Sequence, residues 1–568
     1  MKKLTINIFF ILILSSGFIS AQSVISSLHN LSVSGSGTVK ATAESEVCLF
    51  CHTPHSSNPL GPLWNRNDPG STYIIYDNTI SSTFIAIPGQ PDGSALLCLS
   101  CHDGTIAMGN VLSRSTEIAM AGGFTTIQGQ KNLTTDLSDD HPVSFVYNSA
   151  LAAADGQLKF PPEHPVILDN NSKLQCTSCH DPHKNTYKQF LRVSNQFSAL
   201  CFNCHDRNYW SASSHQSSVA TWSGAGINPW AHIETPYPNV AENACQNCHS
   251  PHTASGKARL LKSGFEENNC LDCHNGNVAA TNIETEFNKA YRHNVFAYNQ
   301  LHDPQENADP DVMHVECVDC HNPHAVNNST ANAPNANGFL AGVRGINQAG
   351  IPVNVIQYEY ELCYRCHADN AVVASPTNRQ IDLNDNNVRL EFDVANPSYH
   401  PIGGAGQNTN VPSLISPLNE SSIIYCTSCH ASDGTSSPAG PHGSIYPSIL
   451  KYRYETTDYT IESSSNYELC YSCHSRASIL NDESFIHSVH LLDPNNRNNQ
   501  TTCNTCHDPH GIDNSQGNST NNSNLINFDL TIVLPNGTGT LEFVDTGTFS
   551  GYCVLRCHNR GHSAGMSY

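Results

Sequence analysis

The chain has 568 residues, of which only 38% are hydrophobic and 13% charged, with a formal net charge of −22. Such a chain is poor in the apolar surface needed to offset ordering entropy, so something besides side chains must supply the core. The acidic balance argues against nucleic acid as a partner.

In chain order, Met1-Lys2-Lys3, the apolar run Ile8–Ile19 and the small-residue exit at Ser20-Ala21 read as a secretory signal peptide over 1–21. That run is too short for a stable bilayer span, so the mature chain reads as exported, with no membrane anchor. The 24 cysteines then fall into twelve pairs with none left over. Eleven read C-x-x-C-H: Cys48/Cys51/His52, Cys98/Cys101/His102, Cys176/Cys179/His180, Cys201/Cys204/His205, Cys245/Cys248/His249 and Cys270/Cys273/His274. The series continues with Cys317/Cys320/His321, Cys363/Cys366/His367, Cys426/Cys429/His430, Cys470/Cys473/His474 and Cys503/Cys506/His507. The twelfth, Cys553/Cys557/His558, carries one extra residue between its cysteines.

Two thiols one helical turn apart can add to the vinyl groups of one haem, and the adjacent His then reaches the iron as proximal ligand. A disulfide framework does not explain a His after every pair. Zinc ribbons need paired knuckles and no trailing His. The expected cofactor is therefore covalent haem c, twelve per chain.

The motifs alternate. Odd-numbered ones continue into Pro-His, giving His55, His183, His252, His324 and His510, and in the ninth an insertion displaces the pair to Pro441-His442. Even-numbered ones lack it and often begin Leu-Cys. This divides the chain into six di-haem units, at 22–125, 126–222, 223–285, 286–385, 386–480 and 481–568. First cysteines lie 25 residues apart within units two and three and 44 to 50 apart in the others. Repetition on this scale implies an array of modules. The pattern, with HNLSVSGSGTVKA, EVCLFCHTPH, LCLSCHDGTIAMGN and the HPV segments at His141 and His164, resembles the doubled C-x-x-C-H multihaem c-type cytochromes. The resemblance implies an electron carrier of respiring bacteria, periplasmic or at the cell exterior.

The second axial ligand separates carrier from enzyme. Of 30 histidines, twelve are proximal, leaving 18 for the distal positions. A Pro-His three residues after a proximal His cannot round its own porphyrin, but can reach a neighbouring iron. Twelve others remain: His29, His141, His164, His215, His232, His293, His302, His314, His400, His487, His490 and His562. His141, His164, His232, His302, His400 and His490 are the expected distal set, standing ahead of the first motif of units two to six, three of them directly before Pro. No C-x-x-C-K motif, catalytic triad or phosphate loop stands out, so no catalytic residue is assigned.

The reading is thus an electron carrier, with redox-protein partners such as other cytochromes or a membrane quinol-oxidising complex. The alternatives are a reductase of a small nitrogen or sulfur oxyanion at one open haem, and a self-assembling filament subunit. The expected fold is mostly irregular, with short α-helices at the haem motifs, haems stacked through the six units, and one β-hairpin at NLINFDLTIVL–PNGTGT–LEFVDTG.

Overall fold

The computed structural model describes residues 24–307, 314–369, 377–382, 387–492 and 500–567. The signal peptide expected over 1–21 lies outside them. Most described residues are turn or coil, punctuated by short helices and two-residue ladders such as Phe145–Val146 on Lys173–Leu174 and Ser398–Tyr399 on Gly511–Ile512. The described residues form two compact units, one up to Ile80 plus Phe84–Asp206, the other Ser81–Thr83 plus Arg207 onward.

Eleven cysteine motifs sit on single helical turns, some in longer helices such as Gly93–His102, Glu266–His274 and Glu359–His367. Others are one turn alone, such as Cys176–Cys179, Cys317–Cys320 and Cys503–Cys506. In these short turns the His N–H donates back to the carbonyl of the first cysteine, as in His180 to Cys176 at 3.0 Å and His507 to Cys503 at 2.9 Å. This closes one α-turn and holds both thiols and the imidazole together.

Hydrophobic clusters are small and separate, such as Leu31, Ala41, Phe50 and Met108, or Tyr360, Tyr364, Phe392 and Ile402. Two fully or nearly buried arginines substitute for a continuous core by gathering loop carbonyls. Arg66 donates to the carbonyls of Ser100, Ala107 and Met108. Arg379 donates to those of Asn504, Asn527 and His507. Buried carbonyls must find donors, and a guanidinium supplies five in one plane.

The C-terminal region departs from expectation. Its strands are β1 (Val533–Leu534), β2 (Glu542–Gly547), β3 (Ser550–Cys557) and β4 (Arg560–His562). The expected hairpin between the first two does not form. Asn536 and Gly537 do make a turn, with Asn536 N–H donating to the Thr540 carbonyl, but β1 and β2 separate to flank β3, which also pairs with β4. The twelfth cysteine motif therefore lies on the central strand rather than on a helix. Alternation explains it: Cys553, Leu555 and Cys557 face the apolar cluster of Phe528, Val533 and Phe543, and the residues between them point away.

Candidate haem-binding sites

Consecutive motifs follow one another in space within each unit. In the first, Cys51 lies beside Cys101, Cys98 contacts Cys176, and Cys179 lies beside Cys204. In the second, Cys248 neighbours Cys273, Cys270 contacts Cys317, and Cys320 neighbours Cys363 and Cys366. Cys363 then contacts Cys426, Cys429 neighbours Cys473, Cys470 contacts Cys503, and Cys506 neighbours Cys553 and Cys557. Three of the five even-to-odd junctions are each fastened by one polar side chain. Gln175 accepts from Ala95 N–H, Glu266 from Val318 N–H, and Glu359 from Thr427 N–H and hydroxyl. Burial pushes many of the thiols upward, Cys51 and Cys429 to about 12, whereas the contact with Cys176 lowers Cys98 and that with Cys503 lowers Cys470.

The histidines pair across the fold. His52 faces His183 with ring centroids 6.1 Å apart, His102 faces His29 at 6.3 Å, and His205 faces His141 at 6.3 Å. His249 faces His324 at 6.3 Å, His274 faces His215 at 6.1 Å, and His321 faces His442 at 6.1 Å. His367 faces His293 at 6.2 Å, His430 faces His510 at 6.1 Å, and His507 faces His487 at 6.3 Å. Two imidazole nitrogens about 2.0 Å from one metal, with ring centres ~1.1 Å behind them, place the centroids roughly 6.2 Å apart. The donor set and its spacing fit a six-coordinate haem iron.

The proximal rings are aimed by their other nitrogen. His102, His180, His249, His321, His430 and His507 each donate Nδ1–H to a backbone carbonyl at 2.7–2.9 Å, and His474 Nδ1 lies 2.9 Å from Ser413 Oγ. Since a carbonyl only accepts, Nδ1 carries the proton and Nε2 keeps its lone pair for a metal. Four of those carbonyls belong to residues in the left-handed region: Gln189 (φ 44°), Arg259 (φ 56°), Ser448 (φ 58°) and Asn524 (φ 56°). This conformation costs a non-glycine residue roughly 1–2 kcal/mol, and it recurs where a ring must be oriented. Burial lowers the pKa of many of these rings, His29, His274 and His430 to about 4 and His324 and His442 to about 3, so these rings are neutral. At His510 burial also acts downward, but Glu391, bonded to Nδ1 at 2.8 Å, raises the pKa overall.

Of the six histidines expected from their place in the chain, His141 faces a motif imidazole and His400 lies near His474. The other four behave differently. His164 is exposed. His232 spends Nε2 on the Gln246 carbonyl. His302 sits among His314, Glu306 and Asp319. His490 faces His562 at 6.2 Å. Among the Pro-His residues, His183, His324, His442 and His510 each face the motif His of the preceding odd motif, whereas His55 is exposed and His252 part-buried.

At the even motifs, His29, His215 and His293 are the partners that proximity to a motif did not single out. Together with His141 they stand 73, 59, 74 and 64 residues ahead of the even-motif histidines they face. That recurring long offset was the available signal. His558 differs from the other motif histidines. It occupies a two-residue turn between β3 and β4 with positive φ at His558 and Asn559, its Nε2 donates to Asp458 at 2.8 Å, and Tyr459 stacks on it. His562, by contrast, is paired with Leu555 in the β3–β4 ladder and so shares the face of Cys553 and Cys557.

Comparison with known proteins agrees with this chemistry. The doubled CXXCH motif family matches residues 169–208 and 238–279, and the outer membrane cytochrome MtrC/MtrF-like family, domains II/IV, matches residues 355–518. A 211-residue stretch is 25% identical to the multiheme cytochrome MtrA of Shewanella baltica (strain OS185), covering 34% of this chain and 43% of that protein. The chain thus spans less than half the length of that relative. Among the described residues no helix is long and apolar enough to cross a membrane. Repeated thiol pairs each trailed by an imidazole, opposed ring pairs at a metal's span, and matches to two cytochrome families converge: the chain is a multihaem c-type cytochrome carrying the doubled C-x-x-C-H motif.

Proposed function

We propose that the protein is an electron conduit binding twelve covalent haems, with imidazole on both faces of most irons, and that it works outside the inner membrane. The observation carrying this reading is the nine pairs of motif and non-motif imidazoles at 6.1–6.3 Å. When bound, haem iron supplies a one-electron couple with no vacant position for a substrate. The chain's own part is to attach, orient and space the sites. Thiol pairs fix each porphyrin, Nδ1 hydrogen bonds aim the rings, and the Gln175, Glu266 and Glu359 contacts hold successive motifs side by side.

For the twelfth site the axial pair is His490 and His562, in place of His558. His487 and His490 lie three residues apart on the short helix His487–Leu491, so one element serves the last two motifs. The acidic surface suits redox partners presenting basic patches, and the MtrC/MtrF-like and MtrA-like matches support a place among cytochromes that hand electrons to one another. Intact mass of the purified protein tests the count. Twelve haem masses above the polypeptide are expected, and a plain polypeptide mass would refute the reading.

A further inference from the structure

His302, Glu306, His314 and Asp319 form a cluster apart from the opposed imidazole pairs, with one ligand atom from each lying within 4.8 Å of the others. We infer that it is a site for a divalent first-row transition ion of the zinc class, distinct from any haem iron. His302 Nδ1 stands 3.6 Å from Glu306 Oε1 and 3.5 Å from Asp319 Oδ1. His314 Nε2 stands 3.5 Å from Glu306 Oε2 and 3.9 Å from Asp319 Oδ2.

These separations are too long for hydrogen bonds, which close to about 2.7–3.2 Å. Three of the four match a different geometry: ligands about 2.0–2.2 Å from a tetrahedral ion lie roughly 3.3–3.6 Å from one another. The His302 side chain is 7% exposed, and its Nδ1 is buried with no hydrogen-bond partner while aimed at both carboxylates. An orphaned buried nitrogen costs about 1–3 kcal/mol, which a metal bond would remove. Two imidazoles and two carboxylates suit zinc and its neighbours rather than calcium or magnesium, which prefer all-oxygen shells.

The surroundings hold this set in place. His302 N–H donates to Glu266 Oε2, Tyr298 stacks on His314 at 4.5 Å, Arg344 donates to the Glu306 carbonyl, and Glu316 N–H donates to Asp319 Oδ2. Arg365 approaches Glu306 Oε1 at 3.4 Å and Asp319 Oδ1 at 3.3 Å, offsetting one of the two negative charges. It shares with His302 Nδ1 the oxygens Glu306 Oε1 and Asp319 Oδ1, so it competes with an ion for them and lowers its affinity. Asp319 lies within the seventh motif and Arg365 within the eighth, so an ion here would bring positive charge beside two haems and raise their potentials.

The test uses the haem-loaded protein, stripped with a chelator, offered zinc chloride and passed through a desalting column, with haem iron as the internal count. One zinc per chain is expected to remain. His302→Ala should abolish retention with its low-spin haem spectrum unchanged, Asp319→Asn should weaken zinc binding at least tenfold, and Arg365→Gln should strengthen it several-fold. Wild-type protein holding no zinc, or His302→Ala holding as much as wild type, would overturn the assignment. So would a new high-spin haem in His302→Ala, which would make His302 an axial ligand instead.

Discussion

Two solutions to one geometric problem stand side by side in this chain. In the first eleven motifs a helical turn brings two thiols and the following His together, because three residues rise only about 4.5 Å along a helix. In the twelfth, four residues of β3 span about 13 Å, and the His after the second cysteine falls in a turn and bonds Asp458. The ladder supplies the ring, though not the short span between thiols, since Leu555 pairs with His562 and brings an imidazole from β4 to the face of Cys553 and Cys557. What the sites share is two sulfurs and a ring on one surface. The order of residues that achieves it differs.

The comparison breaks most sharply on removal of thiols. Cys363→Ala with Cys366→Ala should lose one haem mass and, because this helix carries Tyr360 and Tyr364 of a buried cluster, cost several kcal/mol or prevent folding. Cys553→Ala with Cys557→Ala should lose one haem mass and leave the other eleven attached. Equal damage in both, read by mass and thermal melting, would mean the sheet is no separate solution.

Next in size is a swap of histidines. His562→Ala should convert one haem to a high-spin form, and His558→Ala should not, whereas His474→Ala, at a helical motif, should disturb its haem. A high-spin signal from His558→Ala and none from His562→Ala would return the twelfth site to the pattern of the other eleven.

Smaller effects probe how the helical motifs are tuned. Glu391 gives His510 an anionic partner where other rings have carbonyls, which strengthens the imidazole as a donor. Glu391→Gln should raise the potential of one haem in a redox titration and leave the rest in place. The smallest effect concerns Ser448, whose left-handed backbone presents its carbonyl to His430. Ser448→Val should cost about 1–2 kcal/mol, with Ser448→Gly near neutral. Equal stability of the two variants would remove the strained turn from the account.

The cysteine sites were legible because their chemistry is local: spacing, a trailing His and a helical turn all fit within six residues. The alternation of Pro-His motifs was legible for the same reason, and it pointed toward neighbouring sites. The partners of the even motifs were not, since nothing near His29 or His215 distinguishes them from His164 or His232, and only the folded path decides which loop reaches which ring. The terminal sheet is hidden in the sequence for a related reason. The haem-motif spacing of Cys553–Cys557 conceals a strand, and the Asn-Gly turn lies between two strands that pair with β3 rather than with each other.

The central claim is that opposed imidazoles close both faces of the haem irons. Electron paramagnetic resonance of the fully oxidised protein, with spins counted against haem iron, tests it most directly. The account predicts low-spin ferric signals for nearly all the iron. A large high-spin fraction in freshly purified wild-type protein would contradict it.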